Sequence, residues 1–187
     1  DGTGKSTQVN LLAKSLRAMG HEVITSKEPT DGPYGTRLRQ SANTGRLSPQ
    51  EELDLFHLDR REHVETLIKP ALARNAVVIL DRYFFSTMAY QGVRGFDPAE
   101  IRRTNEEFAP LPDLAIVLEL DLDTALERIG VRDGEANEFE QRDALQKCHD
   151  IFAGLDDPFI RRIKAGESPE KVHATILKLI SEAGYGA

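Results

Sequence analysis

Hydrophobic residues follow two different periods along this chain, one typical of helices and one typical of buried strands. Residues 5–19 carry apolar side chains at helical spacing, and Gly20 follows where such a helix would end. By contrast, AVVILD (76–81) and LAIVLELD (114–121) are continuous apolar runs rich in β-branched residues. Such runs are typical of strands that are covered on both faces. The pattern therefore predicts one helix and two fully buried strands in these segments.

The other segments are assigned from capping signals and shorter patterns. Ser48 is in the position of an N-cap, Pro49 in the first helical position, and Glu51 closes a capping box. They predict a long helix that bends or breaks before Pro70. Ser168 opens a closing amphipathic helix in the same way. Further strands are expected at 22–26 and 159–165, and further helices at 34–44, 84–91, 97–108, 122–130 and 138–153.

Buried strands that alternate with helices predict an α/β protein with a doubly wound parallel sheet flanked by helices. Ligands of such sheets bind at the carboxyl ends of the strands. Asp81 ends one predicted strand, and Asp121 ends another. We expect one domain over residues 1–187, because this length supports a single core more comfortably than two.

Composition and charge exclude several classes of function. The net charge is −7, and the arginines are scattered or paired instead of forming a broad basic face, so a nucleic acid polymer is not an expected partner. No apolar run is long enough for a membrane-spanning helix. A single cysteine, Cys148, excludes an internal disulfide and fits a reducing compartment such as the cytoplasm.

The first seven residues, DGTGKST, contain the last three defined positions of a phosphate-binding P-loop, G-x-x-x-x-G-K-[ST]. Gly2 and Gly4 would let the backbone approach a phosphate, Lys5 would reach the β- and γ-phosphates, and Ser6 would offer its hydroxyl to magnesium. A strand and the first P-loop glycine are expected upstream of Asp1, over about ten residues. The alternative interpretation is a glycine-rich helix start that binds nothing.

The stretch DRYFFSTMAYQG (81–92), together with DGTGKST and LFHLDRREHVETLIKPAL, resembles the thymidylate kinases, which are P-loop nucleoside monophosphate kinases. The resemblance extends from the P-loop to the last helix. It implies ATP as phosphoryl donor, dTMP as acceptor, dTDP as product, Mg²⁺ as cofactor, a homodimer, and a small lid at about 130–142.

The chemistry of this reaction needs positive charge more than it needs a base. The acceptor is already a phosphate, whose second pKa is about 6, so its oxygen is nucleophilic at neutral pH. The barrier lies in bringing two polyanions into line. Lys5, Arg82 and a mobile lid arginine are the expected catalytic cations, and Arg82 is expected to hold the acceptor phosphate with its planar fork.

The resemblance also implies binding roles for further residues. Phe56 matches the aromatic that stacks on thymine, and Arg60 matches the arginine that contacts the base. Thr87 and Gln91 are expected at the base edge and Tyr90 against the sugar. The remaining expected residues are Glu28 and Arg39 for dTMP, Gly2, Thr3, Gly4, Lys5, Ser6 and Thr7 for ATP, and Ser6, Asp1 and Asp81 for the metal. Core packing of Phe56 and a solvated position for Arg39 are the plain alternatives.

The lid region departs from the family pattern. RIGVRDGEANEFEQRD (128–143) contains Arg128, Arg132 and Arg142, but GEAN fills part of the space where further lid residues are expected. Arg132 is the preferred lid arginine, because Asp133-Gly134 beside it indicates a turn.

Two other functions fit parts of the sequence. A deoxynucleoside kinase could use Glu28, before Pro29, as base for a sugar hydroxyl, although such enzymes typically carry Glu-Arg-Ser where this chain has Asp81-Arg82-Tyr83. A nucleotide-binding protein whose kinase activity has decayed would fit the altered lid.

Overall fold

The structure is a computed structural model that describes residues 3–45, 47–129 and 135–184. The chain divides into two compact units, the first formed by residues 1–20 and 112–187 and the second by residues 21–111. Each unit combines helices with a pair of parallel strands, so the predicted α/β class is confirmed.

The second unit contains one parallel strand pair and its crossover helices. Strand β1 (Val23–Lys27) pairs in parallel with β2 (Val77–Asp81), in a register that sets Val23 opposite Val77 and Lys27 opposite Asp81. The helices are α2 (Pro33–Thr44), α3 (Pro49–His63), a π-helical turn (Val64–Ile68), α4 (Lys69–Ala73), α5 (Phe84–Val93) and α6 (Pro98–Glu106).

Helix α3 begins where the capping signals predict. The Ser48 hydroxyl accepts from the Glu51 amide at 3.3 Å, and the Glu51 carboxylate accepts from the Ser48 amide at 3.1 Å, which completes the predicted capping box. The predicted irregularity before Pro70 is the π-helical turn, in which the Lys69 amide bonds to the Val64 carbonyl. Pro70 has no N–H for the carbonyl four residues earlier, so a regular α-helical ladder cannot continue through it.

The interior of the second unit is apolar. Val64, Ile68 and Ala109 form a buried cluster against which Val78 and Leu80 of β2 pack. Phe84, at the start of α5, is fully buried. Burial of Phe84 on α5, and of Leu53 and Leu55 on α3, fixes which faces of these helices turn inward, and thereby where their polar residues lie.

The first unit contains the other strand pair. Strand β3 (Ala115–Glu119) pairs in parallel with β4 (Ile160–Lys164). Helix α1 (Lys5–Ala18) packs against α9 (Pro169–Glu182) through buried residues that include Leu12, Leu16, Val172 and Ile176. The remaining helices are α7 (Leu122–Ile129) and α8 (Glu135–Ala153).

The sheet is smaller than the sequence predicts. We expected one doubly wound sheet, whereas the described strands form two parallel pairs, one in each unit. Each pair has helices between its strands, as a crossover between parallel strands requires. Within the described residues, no helix is both long and apolar enough to cross a membrane.

Candidate active site

The P-loop segment in the first unit ends in a helix start suited to an anion. Gly4, the N-cap of α1, has a φ of 83°, a left-handed conformation that favours glycine although a Cβ there would meet no atom within 4 Å. The Lys5 Nζ lies 3.4 Å from the Thr3 hydroxyl, and the first turn of α1 carries no acidic residue. The helix N-terminus therefore offers amides and a cation to a phosphate.

Arg60 is the centre of a buried polar network in the second unit. Its side chain is 1% exposed. Nε donates to Glu28 Oε2 at 2.8 Å, Nη1 to Asn105 Oδ1 at 2.7 Å, and Nη2 to Thr87 Oγ1 at 2.9 Å. Each guanidinium nitrogen thus has a partner, as a buried charge requires.

Glu28 is held from two sides. Its Oε2 accepts from Arg60, and its Oε1 lies 3.0 Å from His63 Nδ1. Because an ionised carboxylate only accepts, His63 Nδ1 is the donor, and Nε2 pairs with the Ser26 hydroxyl at 2.8 Å. Both carboxylate oxygens of this 5%-exposed residue are therefore engaged inside the protein.

The loop after β1 is fastened to α3. The amide and hydroxyl of Thr30 donate to the two carboxylate oxygens of buried Asp59, at 2.8 and 2.6 Å. A Cβ on Gly35 would lie 2.1 Å from the Thr30 carbonyl oxygen and 2.8 Å from Asp59 Oδ1, so only glycine permits this approach of α2. This arrangement fixes the backbone of the Glu28–Pro29 segment against α3.

Helices α3 and α5 are cross-linked on both sides of Phe56. Glu52, Phe56 and Arg60 recur every four residues and share one face of α3, as Thr87 and Gln91 share one face of α5. Arg60 donates to Thr87, and Gln91 Nε2 donates to Glu52 Oε1 at 3.3 Å. Phe56 itself is only partly buried. A partly exposed ring between two polar cross-links is a suitable platform for a planar base.

Cations converge on a cavity of about 180 Å³ at the carboxyl ends of β1 and β2, lined by Lys27, Glu28, Pro29, Arg39, Asp81 and Arg82. Arg39 donates to the carbonyls of Pro29 and Thr30 at 2.9 and 2.6 Å, which positions its guanidinium at the rim. Three of these lining residues are cations, whereas Glu28 is already engaged by Arg60 and His63. Lys27 and Arg39 also form exposed ion pairs with Asp31, at 3.4 and 3.0 Å. The cavity is therefore suited to a phosphate.

Arg82 has an uncommon backbone conformation. Its φ of 71° lies in the left-handed region, where arginine is unusual. Strained conformations of this kind cluster at functional sites. Its Nη1 donates to the Tyr90 hydroxyl at 3.0 Å, and its guanidinium lies 5.2 Å from the centre of the Tyr90 ring. Tyr90 therefore sets the direction in which Arg82 points.

Two neighbours of the network have shifted ionisation. Burial, with a smaller effect from Glu28, raises the pKa of Tyr83 above its usual value, so its hydroxyl stays protonated and donates to the Pro110 carbonyl at 3.1 Å. Burial, followed by the charge of Arg60, lowers the pKa of His57, so its imidazole is neutral at pH 7. Neither side chain adds charge to the site.

Known proteins resemble this chain over nearly its whole length. The sequence model of the family described as thymidylate kinase matches residues 1–176. A thymidylate kinase of Akkermansia muciniphila is 52% identical over 97% of this chain and 87% of that protein. Thymidylate kinases of Xanthomonas campestris and Xanthomonas oryzae are each 48% identical, over 97% and 100% of this chain and 82% and 85% of theirs.

The chain belongs to the thymidylate kinase family. The resemblance inferred from its motifs is thereby confirmed.

All eight residues predicted for dTMP binding by a thymidylate kinase lie in the second unit, in two groups. Glu28, Arg39 and Arg82 line the cavity, with Tyr90 bound to Arg82. Phe56, Arg60, Thr87 and Gln91 lie on the facing sides of α3 and α5. Arg60 and Glu28 are buried and form an ion pair with each other.

The residues predicted for ATP and the metal are only partly described. Thr3 precedes α1, Gly4 is its N-cap, and Lys5, Ser6 and Thr7 open the helix. Asp81 ends β2 beside the cavity. Asp1, Gly2 and Arg132 lie outside the described residues, as do residues 130–134 of the predicted lid. Among the residues that are described, no group of three or more His, Cys, Asp or Glu side chains could hold a metal.

Sequence reasoning missed several members of the network. Asn105, Ser26 and Glu52 carried no motif, and their partners lie 45, 37 and 39 residues away in sequence. His63, three residues after Arg60 on α3, was not expected to bond to Glu28. The available signal was the presence of several polar residues on an inward helix face, which require buried partners.

Proposed function

We infer that this chain, which transfers the γ-phosphoryl group of ATP to dTMP as a member of the thymidylate kinase family, holds the acceptor nucleotide with residues of the second unit. The observation that carries this inference is the pair of polar cross-links between α3 and α5, one on each side of the partly exposed Phe56 ring.

In this proposal Phe56 stacks on thymine, and its α3–α5 neighbours contact the edge of the base. Thr87 Oγ1 accepts from Arg60, so its hydroxyl proton can be donated to a carbonyl oxygen of the base. Arg60 stays bound to Glu28 and acts as the fixed wall of the site. Tyr90 lies beside the sugar while its hydroxyl holds Arg82.

Arg82 binds the 5′-phosphate of dTMP in the cavity, with Arg39 at the rim. The planar guanidinium matches two phosphate oxygens, which a lysine cannot do. Position and neutralisation of charge are what the reaction needs, because the acceptor oxygen attacks without a base. This orientation requires the strained, left-handed backbone conformation of Arg82.

ATP is held by the segment Gly2, Thr3, Gly4, Lys5, Ser6 and Thr7. The amides at the start of α1 and the Lys5 ammonium neutralise the β- and γ-phosphates. Arg132 of the lid (about 130–142) is the proposed third catalytic cation. The part of this segment that the structure describes supports the proposal through the φ of Gly4 and the absence of an acidic first turn.

Mg²⁺ is the proposed cofactor. It prefers oxygen ligands and keeps several waters, so one hydroxyl and one carboxylate beside the substrate phosphates are sufficient. Ser6 would supply the hydroxyl, and Asp81 or Asp1 the carboxylate. When bound, Mg²⁺ neutralises charge on the β- and γ-phosphate oxygens.

The finer architectural expectations are also proposals. They comprise a single doubly wound P-loop kinase domain over residues 1–187, a homodimer and a cytoplasmic location. Their support is the family, the crossover helices of both strand pairs, and the single cysteine. Sedimentation of the purified chain would test the dimer.

The geometry disfavours Glu28 as a catalytic base, which a deoxynucleoside kinase would require. Both of its oxygens accept bonds from Arg60 and His63, and the carboxylate is buried. A base that must accept a proton from a sugar hydroxyl needs a free oxygen within hydrogen-bond reach of it.

A coupled assay that measures ADP formation tests the proposal. With ATP and Mg²⁺, we expect turnover with dTMP and none with thymidine. Turnover with thymidine would indicate a nucleoside kinase, and tight dTMP binding without ADP formation would indicate a decayed enzyme. Either result would refute the proposed function.

A further inference from the structure

Gln91 is a buried side chain with an acceptor that the protein does not use. Its exposed fraction is 1%, and its Oε1 has no hydrogen-bond partner within the part of the chain that the structure describes. Buried polar atoms are almost always paired, so an exception needs a reason. A ligand that donates a hydrogen bond is one such reason.

Glu52 determines which atom of the Gln91 amide has no hydrogen-bond partner among the described residues. Its carboxylate lies against the amide, and the contact to Nε2 is 3.3 Å. An ionised carboxylate can only accept, so the Gln91 NH₂ group must face it and Oε1 must face away. Arg94 forms an ion pair with Glu52, and the two side chains are 21% and 19% exposed, so a cation lies on the other side of the carboxylate.

We propose that Glu52 is a positioning residue for base selection, which acts by fixing the Gln91 amide so that Oε1 is the atom presented to the nucleotide. This inference rests on the proposed function, in which Gln91 contacts the base edge. Thymine and uracil carry a donor at N3, which Oε1 can accept. Cytosine carries a lone pair at N3, which Oε1 would repel.

The position of the pair supports this role. Glu52 lies one turn before Phe56 on α3, and Gln91 one turn after Thr87 on α5. The Glu52–Gln91 contact is thus one of the two cross-links that flank the proposed stacking ring. A base on Phe56 would have its edge near the amide whose orientation Glu52 sets.

The test is the ratio of kcat/KM for dTMP to that for dCMP, with dUMP as an internal control. Glu52→Gln can donate as well as accept, so the Gln91 amide is free to turn. We expect the ratio to fall about tenfold or more, because a site in which Gln91 Oε1 is no longer held in place does not reject cytosine. Activity with dUMP should change in parallel with dTMP, since the two share N3–H.

Three further variants separate positioning from a structural role. Glu52→Asp keeps a carboxylate acceptor, so its ratio of kcat/KM for dTMP to that for dCMP should stay close to wild type. Glu65→Gln, which removes an exposed ion pair with Lys69 farther along the same chain segment, should leave the ratio unchanged. Gln91→Leu should lower the ratio as far as Glu52→Gln does, and the double variant should lower it no further, because Glu52 acts through Gln91.

A wild-type ratio in a folded, active Glu52→Gln variant would overturn the inference and leave the proposed function intact. An unchanged ratio in Gln91→Leu would also overturn the inference, together with the proposed contact of Gln91 with the base, and it is the deciding result if Glu52→Gln does not fold. Additive losses in the double variant would also contradict it. A wild-type chain that leaves dTMP unphosphorylated would refute the proposed function itself, and this inference with it.

Discussion

The two regions that are candidates for binding nucleotides are built by different means. The start of α1 relies on the backbone, with a left-handed Gly4 and the amides of a helix N-terminus. The α3–α5 region relies on side chains, with Arg60, Glu28, His63, Asn105 and Thr87 buried and bonded to one another. A phosphate can be recognised by backbone amides alone, whereas a particular base needs side chains in fixed positions. Mutations at the start of α1 should therefore lower turnover. Mutations in the α3–α5 region should lower both stability and selectivity for the base.

The largest expected effect is on turnover. Lys5→Ala should lower kcat by about a thousandfold or more, because it removes a cation from the transferred phosphoryl group. Its thermal unfolding should stay close to wild type. Steady-state kinetics and calorimetry would measure the two, with Lys14→Ala, an exposed lysine on the same helix, as control. Retention of a tenth of the wild-type kcat would contradict the role of the P-loop.

Arg60→Ala should have the largest effect on stability. It leaves Glu28 buried with one cation fewer, a change that costs about 3–5 kcal/mol in the free energy of unfolding. Urea unfolding would measure it. The neighbouring Arg61, whose guanidinium lies over the Phe108 ring at 4.0 Å, provides the control, and Arg61→Ala should cost far less. Equal losses would mean that the network contributes little.

Sequence patterns predicted the helices, the strands and the capping box well, because these depend on neighbours within a few residues. The α3–α5 network was predicted only in part. Phe56, Arg60, Thr87 and Gln91 came from the family motifs, but their partners Asn105 and Glu52 did not. Such partners are set by packing across tens of residues, which no local period encodes. The doubly wound sheet stays a prediction, since the described strands form two parallel pairs.

Phe56→Ala should have an intermediate effect, confined to the acceptor. Loss of stacking on one base is worth about 1–3 kcal/mol, so the KM for dTMP should rise roughly tenfold or more while the KM for ATP stays unchanged. Because Phe56 is partly exposed, the variant should remain stable. Phe84→Ala, at a fully buried phenylalanine, should instead unfold readily. An unchanged KM with lost stability in Phe56→Ala would indicate core packing.

The smallest expected effect is a pH dependence in the first unit. Burial lowers the pKa of His173, whose Nε2 lies 2.9 Å from the Ser15 hydroxyl, so the folded protein favours the neutral ring. Below about pH 6.5 the unfolded chain binds the proton more readily, and stability falls as the pH falls. Between pH 7.5 and 5, the melting temperature should fall less steeply with falling pH for His173→Gln than for wild type. His149→Gln, at an exposed histidine, should keep the wild-type slope, and an equal change in both variants would count against His173.

The central claim is that the start of α1 binds ATP, whereas Arg82 binds the phosphate of dTMP. The most direct test is the dissociation constant of dTMP, measured by calorimetry without ATP, for Lys5→Ala and Arg82→Ala. Lys5→Ala should bind dTMP within about twofold of wild type, since the acceptor phosphate is held by Arg82. Arg82→Ala should bind it at least about tenfold more weakly, because a charge-assisted bidentate contact is lost. Equal weakening in both variants, or a loss confined to Lys5→Ala, would contradict the account.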